Sequence, residues 1–439
     1  MAAAESVDSA PAIAGLAPLS GGVDARLHWT ASAQYVGRTA AMLAVLGPGL
    51  MVMLADTDAG SIVTAAQSGA GWGYQLVLPQ ILLIPILYVV QEMTVRLGIV
   101  TQKGHGELIR EHFGAGWAVL SVCTLFLAAV GALVTEFAAI AGVGELLGVP
   151  AWLTVTAATL LLVWLGTTGG YRRVERVGIA IGLFELMFLP AAFMAHPDLR
   201  ALAAQLQQAP LANRTYVLML AANVGAVIMP WMIFYQQAAV VEKRLRLRHL
   251  RHARLDTLIG AIFTQAVMIF VIVAAAATIG RAGSARPLND IREIAGALQP
   301  FIGWTGARVV FGMGMLGAAL IAALVVSLAG AWGIGEIIGV PHSLGLPLRD
   351  GKCFYAVYTL AHISGAAIVL SGISLVALTI NIEVMNALLL PIVLGFLLVL
   401  EAKALPAAFR MAGGYRCVAW LLSGLVIVFG LFMMVHILV

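Results

Sequence analysis

Charge is what this sequence lacks. Of its 439 residues only 10% are Asp, Glu, Lys or Arg, while 61% are hydrophobic; ordinary soluble domains carry about 25% charged residues. So few charges exclude a water-soluble enzyme and a nucleic-acid-binding module. Cysteine is scarce too: Cys123, Cys353 and Cys417 are scattered and give neither a disulfide framework nor metal-ligand spacing. There is no His-Glu-x-x-His helix and no Gly-x-x-x-x-Gly-Lys-Ser/Thr phosphate loop, so neither a zinc protease nor a nucleotide-driven pump is supported, and no enzyme and no resident cofactor are expected. Hydrophilic blocks between apolar runs are missing as well. One all-α integral membrane domain is therefore expected over residues 37–439. The Ala/Ser/Gly/Pro-rich residues 1–36 lack the charged and apolar regions of a signal peptide and read as a disordered cytoplasmic tail.

What is present is apolar sequence in long runs, with a mean hydropathy of +0.98. A spanning helix needs roughly 20 apolar residues. Eleven transmembrane helices are expected, at 40–67, 75–98, 117–147, 151–169, 174–195, 216–240, 255–280, 305–335, 354–371, 377–400 and 417–439. Basic residues test that count, because Lys and Arg concentrate in cytoplasmic loops. With a cytoplasmic N-terminus and an external C-terminus, nineteen of the 25 Lys and Arg fall inside, including the run Lys243–Arg254, and six fall outside. The basic excess thus reads as a topology anchor in a multi-pass cell (inner) membrane protein, not as a nucleic-acid surface.

Two spans carry poor helix formers. The first reads Gly47-Pro48-Gly49 and then Asp56-Thr57-Asp58-Ala59-Gly60-Ser61; the sixth reads Gly225 to Trp231 with Pro230 inside it. Proline removes a backbone donor and glycine eases unwinding. In hydrocarbon an unwound segment survives only when buried in protein or lining a cavity, where its carbonyls can hold a cation. One such site alone would read as a kink. Two sites five spans apart, one bearing carboxylates, point to corresponding breaks in two inverted five-helix repeats, about 40–195 and 216–400, with 417–439 an added helix.

Ionisable groups at membrane depth strengthen this reading. Asp56, Asp58, Glu136, Glu185 and Glu383 lie within apolar spans, where a central Asp costs about 2.5–3.5 kcal/mol on insertion scales. Asp58 beside an unwound glycine reads as functional. Glu185, with no break beside it in sequence, reads as structural.

The stretch from Asp58-Ala-Gly-Ser61 to Gln67-Ser-Gly-Ala70 and Trp72-Gly-Tyr74 resembles the first-span signature of the NRAMP divalent-metal transporters. Arg96 to Lys103, Gly170-Tyr-Arg-Arg-Val-Glu175 and Met229-Pro230 resemble three further family motifs in register. The resemblance implies a leucine-transporter-like fold with broken helices one and six around the metal. It implies Asp58 and Met229 as ligands, the Ala226 carbonyl as a third, and Ser61 where the family has Asn. Glu136 resembles the third-span Glu implicated in proton movement, and Glu383 stands nearest to a tenth-span Gln, eight residues before Pro391.

Departures from the pattern bear on mechanism. The sixth-span His is Trp231, a later His is Gln236, and an Asp before the third-span Glu is Leu133. Histidine titrates near neutral pH and tryptophan does not. Such changes are similar to those of the NRAMP-related magnesium transporters, so transport without tight proton coupling is expected. The candidate donors are Asp58, Ser61, Ala226, Asp56 and Glu383, mostly hard oxygens that suit Mg²⁺ or Mn²⁺. Met229 is either a thioether ligand that keeps Mn²⁺ or Fe²⁺ in play or a packing residue. Trp231, Gln236 and Glu136 are coupling or gating candidates. The metal is substrate, and the other partner is the lipid bilayer. A proton-coupled Mn²⁺/Fe²⁺ carrier and an organic-substrate symporter of the same fold are the alternatives.

Overall fold

The computed structural model describes residues 47–280, 288, 290–296, 299–372 and 375–438; the tail expected over 1–36 lies outside them. Every regular element among the described residues is helical. In chain order these are α1 (Pro48–Asp56), α2 (Ala59–Trp72), α3 (Val77–Thr101), α4 (His105–Phe113), α5 (Ala115–Leu146), α6 (Ala151–Thr168), α7 (Tyr171–Gly182) and α8 (Phe188–Met194). There follow α9 (Leu199–Gln205), α10 (Arg214–Val227), α11 (Pro230–Glu242), α12 (Leu250–Thr278), α13 (Ile291–Gly296), α14 (Gln299–Ile338), α15 (Lys352–Leu370), α16 (Leu375–Ala404) and α17 (Gly413–Leu438).

Nine helices among the described residues are long and apolar enough to cross a membrane, with α10 and α11 taken together as one. The two expected spans that do not pass as single helices are both interrupted. The first is split into α1 and α2, and the fifth into α7, a 3-10 turn over Leu183–Met187, and α8.

The first break is not where the Gly-Pro-Gly motif lies. Pro48 takes the first helical position of α1, which suits its fixed φ and missing amide proton, and Gly47 precedes it at φ 150°. The backbone amides of Gly47, Gly49 and Leu50 donate to the Asp256 carboxylate of α12 at 3.2, 2.8 and 3.2 Å, which caps the positive end of α1. The chain unwinds one helix later, at Thr57-Asp58.

Burial grades outward from these broken helices. Of the most apolar stretch of α10–α11, 89% is buried, against 28% for α6 and for α17. Trp152, Leu160, Leu421 and Leu425 are each more than half exposed, an apolar belt that suits lipid and not water. Polar backbone freed at the breaks is thereby kept inside protein.

Candidate metal centre

Both breaks are made by residues that cannot continue a helix cheaply. Asp58 leaves the helical region (φ −69°, ψ 174°) and caps α2, its Oδ1 accepting from the Ser61 amide at 2.7 Å. A short carboxylate at this position satisfies an orphan amide and faces the positive end of the helix. In the sixth span Ile228 and Met229 are non-helical, and Pro230 starts α11. A residue before proline is driven out of the helical region, and the extended Met229 (φ −96°, ψ 140°) follows from that.

The breaks face each other. Ser61 Oγ donates to the Ala226 carbonyl at 2.8 Å. Glu136 of α5 accepts from the Ala59 amide through Oε2 at 3.2 Å, so a second carboxylate sits at the α2 N-terminus. Glu383 of α16 closes the group. A Cβ added to Gly60 would lie 2.4 Å from Glu383 Oε1 and 3.3 Å from Asp58 Oδ1, so the two carboxylates converge over Gly60 and a larger residue there would displace the Glu383 carboxylate. A Cβ on Gly225 would meet the Glu383 carbonyl at 1.8 Å, which shows how tightly α10 lies on α16. Asp58, Ser61, Ala226, Met229, Glu136 and Glu383 are all at most 2% exposed, so the centre is closed to solvent.

Not every expected residue turns inward. Met229 Sδ accepts from Trp231 Nε1 at 3.1 Å. Asp56 is aimed at α12, where the Thr264 hydroxyl donates to its Oδ2 at 3.3 Å. Gln236 also faces α12, its Nε2 donating to Thr257 Oγ1 at 3.2 Å. Glu185 lies on the 3-10 turn of the fifth span, shortly before Pro190, fully buried and near Thr57.

None of the carboxylates of Asp56, Asp58, Glu136, Glu185 and Glu383 joins an ion pair among the described residues. The Asp58 charge acts on Glu136 and on Glu383. Unpaired carboxylates at this depth are a strong attractor for cations. Among the described residues no three His, Cys, Asp or Glu side chains form a metal cluster by themselves. An ion here would complete its shell with the Ser61 hydroxyl, backbone carbonyls and water, as hard cations do.

Two residues at the centre escape sequence reasoning. Asn386 Nδ2 donates to Glu383 Oε2 at 3.0 Å; its i, i+3 spacing in a helix was a readable signal. Thr264, by contrast, is one of three threonines in α12 and carries no signal that sets it apart. Polar clamps lie beyond the breaks. Asn223 joins Ser68 and Gln80, each at 2.8 Å, tying α10 to α2 and α3. Near the start of α1, Lys243 pairs with Glu175 at 2.9 Å.

Residues 49–436 match the model of the Nramp family, described as natural resistance-associated macrophage protein-like. The divalent metal cation transporter MntH of Pectobacterium carotovorum subsp. carotovorum (strain PC1) is 28% identical over 303 residues, covering 66% of this chain and 71% of that protein. MntH of Ralstonia nicotianae (strain ATCC BAA-1114 / GMI1000) is 29% identical over 295 residues, covering 63% and 65%. Among solved structures, an Eremococcus coleocola manganese transporter superposes with a TM-score of 0.70 at 19% identity, covering 89% of this chain and 86% of that one. MhsT in complex with L-phenylalanine superposes at 0.60 and 12% identity, covering 88% and 98%. These likenesses show the leucine-transporter-like fold.

Proposed function

Because the chain belongs to the natural resistance-associated macrophage protein-like (Nramp) family, we propose that it carries divalent metal cations across the cell membrane, taking Mg²⁺ and Mn²⁺ into the cytoplasm by alternating access. The observation that carries this reading is the convergence of Asp58 and Glu383 on Gly60, with Ser61 bonded to the Ala226 carbonyl. Oxygen donors of this kind suit a hard, partly hydrated ion. Met229 adds the one soft donor, but its sulfur is engaged by the Trp231 indole. The symporter reading shares the fold, yet a site for an organic carboxylate would present amides rather than acidic side chains.

In this reading Asp58 is the principal anion, Ser61 and Ala226 supply neutral oxygens, and Glu383 approaches from α16. The polar clamps on either side of the breaks open in turn: Gln80, Asn223 and Ser68 at one end, Lys243, Glu175 and Asp256 at the other. An inside-negative potential drives a doubly charged ion inward by about 4.6 kcal/mol per 100 mV. Proton coupling is therefore not required, and with Trp231 and Gln236 at the two His positions no imidazole stands there to couple.

Uptake into proteoliposomes tests this, with Mg²⁺, Mn²⁺ and Ca²⁺ supplied in turn under a set membrane potential and internal pH recorded in parallel. Saturable Mn²⁺ influx that Mg²⁺ inhibits, without acidification, is expected. A stoichiometric proton signal, or Mn²⁺ influx indifferent to excess Mg²⁺, would overturn the reading.

A further inference from the structure

Glu185 is a buried carboxylate that the centre described above does not use. It is 0% exposed, and among the described residues neither of its oxygens accepts a hydrogen bond of ordinary geometry. Glycine packing brings it to the first-helix break. A Cβ on Gly178 would lie 2.8 Å from Met51 Cε, and one on Gly182 3.0 Å from Leu54 Cβ. The contacts advance together along both chains, so α7 runs beside α1 in the same direction at close range. One turn further on, the Thr57 hydroxyl faces Glu185, and Asp58 and Asp56 are the charges that act on it.

Asp56 is in the same condition. It is 1% exposed, and among the described residues its Oδ1 has no hydrogen-bond partner while Thr264 donates to its Oδ2. Thr264 Oγ1 lies 2.6 Å from Thr57 Oγ1. Two carboxylates and two hydroxyls therefore meet on the side of the break that faces α7 and α12, and among the described residues no Lys or Arg pairs with either acid. Buried carboxylates without partners are strongly unfavourable until a positive charge joins them.

We propose that Asp56, Thr57, Thr264 and Glu185 form a second cation station, which takes the same hard divalent ion as the Asp58 centre. All four donors are oxygens, and the two acids match a double charge. The stations share the unwound segment Thr57-Asp58, so two divalent ions would repel each other across it, and a single ion occupies them in turn. The second station thereby extends the route through the break. This inference rests on the transport reading and adds a step to it.

Equilibrium Mn²⁺ binding to the purified full-length protein, read from the paramagnetic resonance of free Mn²⁺, tests the station. Wild-type protein binds one ion. Asp58→Ala retains a single site weakened about a hundredfold, and the double variant Asp58→Ala/Glu185→Gln loses that site. Glu185→Gln alone slows proteoliposome uptake at least tenfold while its Mn²⁺ binding stays within threefold of wild type. Thr264→Val, which removes a donor without touching charge, lowers the residual affinity in the Asp58→Ala background and serves if Glu185→Gln does not fold. Residual Mn²⁺ binding that is indifferent to Glu185→Gln and Thr264→Val, or no residual binding in Asp58→Ala, overturns the second station and leaves the transport reading standing. Failure of wild-type protein to bind Mn²⁺ overturns both.

Discussion

The Ser61 hydroxyl and the Ala226 carbonyl, 165 residues apart in sequence, are joined by a 2.8 Å hydrogen bond that links the two helix breaks directly. This bond keeps a carbonyl at the end of α10 turned toward the start of α2, where Asp58 stands. A divalent ion bound as proposed would compete for the same two oxygens.

Removing that hydroxyl should weaken ion binding without unfolding the protein. A net hydrogen bond contributes about 1 kcal/mol, and each 1.4 kcal/mol is tenfold in affinity. Ser61→Ala is therefore expected to raise the KM for Mn²⁺ about fivefold, measured as initial uptake against concentration. An unchanged KM would show that the hydroxyl takes no part.

Asp58 carries more. It supplies the anion at the break and also caps α2. Asp58→Ala is expected to abolish uptake and to weaken Mn²⁺ binding about a hundredfold, equivalent to roughly 2.7 kcal/mol. Asp58→Asn retains the cap but not the charge, so it should keep the melting temperature near wild type while still failing to transport. Transport by Asp58→Asn would remove the charge from the mechanism.

Trp231 occupies a position where an imidazole would bring titration. Trp231→His places a titratable ring there. Once protonated, the imidazolium adds positive charge beside the breaks and repels the incoming ion; while the ring is neutral the repulsion is absent. Uptake by the variant should therefore fall at acid pH, with a step that the wild-type profile lacks. Identical profiles for the two proteins would count against it.

Met229 tests whether the site tells hard ions from soft ones. Its sulfur already accepts the Trp231 indole proton at 3.1 Å, and thioethers favour soft cations. Met229→Leu is expected to leave Mg²⁺ uptake within about threefold of wild type and to reduce inhibition by Cd²⁺ about tenfold. A collapse of Mg²⁺ uptake in this variant would make the sulfur essential and argue for a softer substrate.

Gly225 tests the packing that holds Glu383 in place. A methyl group there would meet the Glu383 carbonyl at 1.8 Å, and overpacking of this kind costs about 1–3 kcal/mol. Gly225→Ala should lower the melting temperature and impair uptake together, because α16 must shift to make room. A stable, active Gly225→Ala protein would mean that the contact between α10 and α16 is loose.

Much of the centre was legible in the linear order of residues. Asp58 and Pro230 mark the two breaks within their spans, since proline and short polar side chains interrupt helices by local chemistry alone. The basic residues beside the apolar runs are equally local signals. Legibility failed where local chemistry pointed two ways. Gly47-Pro48-Gly49 is as good a helix start as a helix break, and it proves to be the start of α1. In the fifth span Pro190 has no amide proton for the Leu186 carbonyl, a local signal for the 3-10 turn over Leu183–Met187 that the expected continuous helix passes over.

What the amino-acid order determined, then, is the solvent and the interruptions: too little charge for water, runs long enough for lipid, and two places where a helix cannot continue. Which side chains meet at those places was decided only by tertiary packing. Glu136 reaches the Ala59 amide across 77 residues, Glu383 reaches Gly60, and Glu185 comes to Thr57 through the glycines that seat α7 on α1. The physical reason is that a helix presents every face in turn. Local sequence decides that a carboxylate lies at membrane depth, but the rotation and approach of whole helices decide what it faces.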